Sequence, residues 1–172
     1  MRLNVASLAI AVGLVLLGTG SAITADGQGN FNARLKGTYR TFSSVTNVGS
    51  PVHLFFNGVM TYDGNGHATW AGRGTVINQD SGATEAFSFG ETGVLTYEVN
   101  RDGSFTQVGT FTSDPVGSYV ITPVKWVGQI GIGGSILVLT GPIPPEPAIF
   151  TQGGVSTVVF GVNMMTAVRI SG

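Results

Sequence analysis

The sequence predicts an all-β protein: a single antiparallel up-and-down β-barrel following an N-terminal signal peptide, with a β-sandwich as the alternative packing of the same strands. Three observations carry this. β-rich runs follow one another at short spacing, divided by turns of Asp, Asn and Gly. No window repeats its apolar residues at a helical period. Charged residues are only 10% of the chain and glycines number 27, so its surface must be built from Thr, Ser, Asn, Gln and Gly, which suits strands and tight turns.

The N-terminus reads as a targeting segment. Arg2 supplies a positive charge, and Val5 to Leu17 then runs without one. A membrane-spanning helix wants about 20 apolar residues; this run is shorter and leads into the small residues Gly18-Thr19-Gly20-Ser21-Ala22, where a peptidase can cut. Cleavage is expected after Ala22 or Ala25. An uncleaved anchor is the alternative, but no basic stop-transfer cluster follows. The expected division is 1–25 signal peptide, 26–33 flexible N-terminal arm and 34–172 β-barrel domain, with the mature chain periplasmic or extracellular and not integral to the membrane. The chain has no Cys, so an exported domain must rest on packing alone.

The strands are expected in order. The first is Leu35 to Ser44. Val52 to Tyr62 and His67 to Ile77 flank Asp63-Gly64-Asn65-Gly66, a hairpin turn in which Gly supplies positive φ. Ala83 to Phe89 comes next. Gly93 to Asn100 and Ser104 to Phe111 flank Arg101-Asp102-Gly103; pairing Asn100 with Ser104 puts Leu95, Tyr97, Val99, Phe105 and Phe111 on one face. Ser118 to Ile130, Ser135 to Thr140, Ala148 to Gln152 and Val155 to Ile170, broken near Gly161, complete the set. A closed barrel is favoured because an uncharged, β-rich chain with open edges would aggregate. Gly141-Pro142-Ile143-Pro144-Pro145-Glu146-Pro147 lacks the backbone donors of a strand interior; it is either a docking surface or lid at a barrel mouth, or a rigid connection.

Charge excludes one class of partner. Without Arg2, seven basic residues face nine acidic ones, a net charge of −2, with no basic run to bind nucleic acid. His53 and His67 stand alone and far apart, so no metal site and no cofactor is expected. Asp63-Gly64-Asn65-Gly66 opens like a calcium loop but lacks the closing Glu, and Gly154-Val155-Ser156-Thr157-Val158 lacks the second glycine of a hydrolase elbow. The glycines of 128–134 have no following helix and no Lys-Ser or Lys-Thr, so they do not form a phosphate cradle. No catalytic residue is assigned.

What remains is the lumen, where a binding site would be mostly apolar with a few convergent polar groups. Glu85 alternates in phase with Phe87 and Phe89. His53 alternates with Phe55, Asn57 and Val59, and pairing Val59 with Trp70 would bring Trp70 to the same face. His53, Asn57, Trp70 and Glu85 are therefore the candidate ligand-binding residues; the alternative leaves Glu85 at an exposed strand end and His53 on the rim.

Leu35-Lys36-Gly37-Thr38-Tyr39, Gly58 to Gly66 and Gly93 to Gly103 together resemble small exported microbial β-barrel proteins described as lipocalin-like or allene-oxide-cyclase-barrel-like. Gly37-x-Tyr39 is similar to the Gly-x-Trp that opens lipocalin barrels, with Tyr for Trp. The resemblance implies that Arg169 in the last strand packs across that aromatic. It brings no catalytic residue.

The expected function is binding of a small apolar molecule in the lumen, on the strength of ten Phe, four Tyr and two Trp spread along alternating strands. The alternatives are an isomerase or cyclase using the same lumen, and a structural or adhesive envelope protein with a filled core. An integral outer-membrane barrel is disfavoured, because no paired aromatic girdles show.

Overall fold

The computed structural model of the protein describes residues 30–49, 51–78, 85–114 and 118–172. The signal-peptide segment 1–25 and residues 26–29 of the expected arm lie outside the described residues.

Hairpin chemistry sets the topology. At the first turn Asp63 Oδ1 accepts hydrogen bonds from the amides of Asn65 (2.6 Å) and His67 (3.0 Å), which joins β2 (Val52–Asp63) to β3 (His67–Asn78) through Gly64 and Gly66 at positive φ. At the second, Asp102 Oδ1 accepts from the Ser104 amide at 2.9 Å, turning β4 (Glu85–Val99) into β5 (Ser104–Asp114). With β1 (Lys36–Asn47) before them and β6 (Val120–Ile130) after, these strands form an antiparallel meander in which each pairs with the next.

The seventh stave is split. β7 (Ile136–Thr140) and β8 (Pro147–Gln152) both lie between β6 and β9 (Val155–Ser171), and β9 pairs back onto β1. The result is a closed, eight-stave antiparallel up-and-down barrel, which leaves no free sheet edge. The proline-rich segment 141–146 connects the two halves of that stave, partway up the wall. It is tied down by the Gly141 amide, which donates to Asn163 O at 2.9 Å, and by an ion pair between Lys125 and Glu146.

Two expected breaks are absent. Glu85 to Val99 is one continuous strand rather than two, and β9 runs through Gly161, which pairs with Asn47. Pairing with both β3 and β5 holds Gly90 to Thr92 extended, and pairing with β1 carries β9 through Gly161, where glycine alone suggested an interruption.

One half of the interior is filled. Leu35, Tyr39, Met60, Tyr62, Leu95, Tyr97, Val99, Phe105, Ile130, Leu137 and Leu139 are buried together. The five residues placed in the core by alternation in the second hairpin, Leu95, Tyr97, Val99, Phe105 and Phe111, are all among the buried residues. Tyr62 packs edge-on to Tyr39 and Tyr97, at 5.5 and 5.1 Å between ring centres, and donates from its hydroxyl to Gln107 Oε1 at 2.7 Å, satisfying a polar group that burial would otherwise strand. Phe31–Arg34 forms a single 3₁₀ turn beneath this half. Asn32 Oδ1 accepts from the Val99 amide at 2.8 Å, and the Tyr97 hydroxyl donates to Leu35 O at 2.8 Å. The turn corks that end. Among the described residues, no helix is long and apolar enough to cross a membrane.

Candidate functional site: an aromatic lumen around Glu91

Toward the end of the barrel opposite the cork, the interior opens into a cavity of about 560 Å³, within the range of roughly 300–1,000 Å³ that holds small ligands. Its floor and walls are aromatic. Trp70, Phe56, Phe89, Phe111, Tyr119, Trp126 and Phe150 touch one another in a chain of ring contacts, from Tyr119–Phe150 at 5.1 Å to Phe56–Trp70 at 6.1 Å.

Glycine makes room for those rings. A Cβ on Gly72 would sit 2.6 Å from the Trp70 ring and 2.4 Å from Asn57 O, and one on Gly93 would sit 2.5 Å from the Phe111 ring. Small and large residues therefore alternate around the interior, as the taper of a narrow barrel requires. The Trp70 indole is fixed as well as packed, its Nε1 donating to Thr41 Oγ1 at 2.9 Å.

Among the described residues two carboxyls line this apolar space: Glu146, which is exposed and paired with Lys125, and Glu91, which is buried. Glu91 is 6% exposed and lines the cavity. Its strand position is opposite Ser113 of β5, and Ser113 in turn holds Tyr119: the Ser113 amide donates to Tyr119 O at 3.1 Å, and the Tyr119 amide donates to Ser113 Oγ at 3.0 Å. Tyr119 is thereby placed to donate its hydroxyl to Glu91 Oε1, at 2.5 Å. Desolvation pushes the Glu91 carboxyl up to about 7, against the opposing pull of the Tyr119 hydrogen bond; burial and the adjacent carboxylate push the Tyr119 phenol up as well. Ser113 and Ser118 share a hydrogen bond on the same wall. Trp126 Nε1 and Asn163 Oδ1 are buried polar atoms without a hydrogen-bond partner.

No family model matches the chain, and no curated protein or solved structure matches it. The fold fits a lipocalin-like barrel in general, and the cavity must be read from its own residues.

The candidate residues distribute differently from expectation. Trp70 lines the cavity. His53 and Asn57 do not, because the β2–β3 register pairs Trp70 with Met60 and Val59 with Ala71. The lumen phase of β2 is therefore Val52, Leu54 and Phe56, and a one-residue difference in register turns His53, Phe55, Asn57 and Val59 outward. His53 meets Thr46 Oγ1 at 3.5 Å on the exposed side of the wall. Glu85 starts β4 opposite Asn78; its side chain is outside the described residues. Among the described residues, no group of three or more His, Cys, Asp or Glu could hold a metal.

Glu91 is legible in the alternation of its strand. Glu85, Phe87, Phe89, Glu91, Gly93, Leu95, Tyr97 and Val99 keep one alternating phase, so extending the strand across Gly90 to Thr92 finds the buried carboxyl. Tyr119 and Phe150 carried no comparable signal, since only closure of the barrel brings them beside Glu91.

Proposed function

We propose that this protein is a lumen-binding barrel that takes up a small, largely apolar molecule from the open end. The observation that carries the reading is the 560 Å³ cavity with its aromatic wall and the buried carboxyl of Glu91: a barrel serving only as structure would fill that space, as its corked half is filled. Native mass spectrometry of protein purified from its own host, with quenching of Trp70 and Trp126 fluorescence by apolar probes, tests it. Co-purified mass or saturable quenching is expected. Absence of both would favour a structural role.

A second reading, an isomerase or cyclase in the same lumen, is favoured by one feature. A carboxyl titrating near neutrality and hydrogen-bonded to a phenol is suited to donate or accept a proton from a bound molecule. Turnover abolished by Glu91→Gln with binding retained would support it over simple binding.

The reading includes export, supported by the charge-free run from Val5 to Leu17 and the small residues after it. Intact-mass measurement of exported protein should begin at Ile23 or Asp26. Soluble envelope protein beginning at Met1 would reject it.

A further inference from the structure

We infer that the lumen takes an organic cation, an ammonium group carried on an apolar frame, with Glu91 as its counter-charge and the surrounding ring faces as its walls. The inference rests on the lumen-binding reading and narrows it to a ligand class.

The first argument is that, among the described residues, Glu91 has no counter-charge. Arg34, Lys36, Arg40, Arg73 and Arg101 are exposed. Arg169 lies over Tyr39 in the corked half, and Lys125, the cation on the cavity wall, is paired with Glu146. The carboxyl has one hydrogen bond, from Tyr119. A buried carboxylate so poorly compensated carries a large desolvation cost, which an incoming cation offsets and an incoming anion increases. A fatty-acid carboxylate is thus the wrong partner for this lumen.

The second argument is independent of charge balance. Trp70, Phe89, Phe111, Tyr119, Trp126 and Phe150 line the same cavity as Glu91, and aromatic faces attract cations through their quadrupole, most strongly when water is excluded. A neutral hydrocarbon would use the same surface area but gain neither attraction.

Proton linkage follows. The neighbours of Glu91 on β3 and β5 contribute Trp70, Phe111 and Ser113, none charged. Among the described residues, the other titratable groups sharing the cavity are Tyr119, which burial keeps neutral, and the Lys125–Glu146 pair. Glu91 must be ionised to serve as counter-charge, so a ligand of fixed charge should bind less tightly as acid protonates the carboxyl.

Three probes of similar shape test this: phenyltrimethylammonium, its uncharged isostere tert-butylbenzene, and benzoate, each titrated against Trp fluorescence between pH 5.5 and 8.5. At pH 8 the ammonium should bind about tenfold or more tighter than the hydrocarbon, and benzoate weakest. Its affinity should fall toward pH 5.5, while that of the hydrocarbon should not. In Glu91→Gln, where the amide can still accept from Tyr119, the ammonium preference should shrink to what the rings alone supply and its pH dependence should disappear, with hydrocarbon binding retained. Hydrocarbon binding without an ammonium preference, or a preference and pH dependence undiminished in Glu91→Gln, would overturn the cation inference alone. Failure of all three probes in folded protein would overturn it together with the lumen-binding reading.

Discussion

The guanidinium of Arg169 lies 5.7 Å above the ring centre of Tyr39, and it joins the last strand of the barrel to the first. The same guanidinium donates to Lys36 O, while the Tyr39 hydroxyl donates to Gly134 O at 2.8 Å. Gly37 lies beneath this seam at φ +120, where a Cβ would come within 2.6 Å of Ser171 O, so a side chain there would strain the backbone and push the strands apart. Arg169 therefore packs across the aromatic residue that opens the first strand.

Arg169→Ala should cost about 1–3 kcal/mol of stability, because it removes a cation–π contact and a charge-assisted hydrogen bond together. Arg169→Lys should recover only part, since an ammonium lacks the planar fork. A double-mutant cycle with Tyr39→Leu, read by urea unfolding, measures the coupling. Additive effects would mean that the two residues act independently.

Glu91 makes stability fall as pH rises. Its folded pKa, about 7, is above the ordinary 4.5. Below pH 4.5 the carboxyl is protonated in both states and carries no penalty; the penalty grows through the interval and is complete above pH 7. The loss should be on the order of 3 kcal/mol. Unfolding of the wild type and Glu91→Gln across pH 4 to 8 checks it: the variant should gain on the wild type as pH rises. Parallel profiles would show that Glu91 ionises freely in the folded protein.

Phe105 and Val94 separate the two faces of the second hairpin. Phe105 is fully buried against Gly128 and Leu139, while Val94 is 72% exposed on the outer face. Phe105→Ala should cost about 3–5 kcal/mol through lost burial and the cavity left behind. Val94→Ala should change stability by less than about 0.5 kcal/mol. Val99→Asp, which buries an unpaired carboxylate, should prevent folding. Thermal unfolding followed by circular dichroism distinguishes all three.

Gly72 should tolerate no side chain. Its Cβ would meet backbone as well as the Trp70 ring, and backbone cannot rotate away. Gly72→Ala should destabilise by about 1–3 kcal/mol and displace the indole. A shifted Trp emission maximum in the folded variant is the expected sign, and an unchanged near-ultraviolet dichroism spectrum would argue that the close approach is relieved without moving Trp70.

How far the sequence reaches is clearest where one face of a strand is polar. In Gly93 to Phe111 the alternation of Leu95, Tyr97, Val99 and Phe105 with Thr96, Glu98, Asn100 and Thr106 leaves one phase for the core, and the structure buries that phase. The turns were readable for the same local reason, since Asp63 and Asp102 hydrogen-bond to amides two to four residues along and need no distant partner. Antiparallel order and closure follow from such short-range chemistry together with the need to pair edges, whereas the strand count does not, because Gly90, Gly93 and Gly161 lie inside continuous strands.

The site depended on interactions that no local pattern contains. In β2 both phases are apolar, Leu54 and Phe56 against Phe55 and Val59, so alternation could not choose between them and the turn register decided it, sending His53 and Asn57 outward. In β9 Met165 and Ala167 face in while Met164 and Val168 face out, with the same ambiguity. Glycines inside the strands prove, at Gly72 and Gly93, to be the spaces under Trp70 and Phe111. The contact between Glu91 and Tyr119, 28 residues apart, exists because Ser113 holds Tyr119 against the wall of a closed barrel. Local sequence determined which strands form and where they turn; closure of the barrel decided which side chains share the cavity, because that depends on register and curvature summed around every stave.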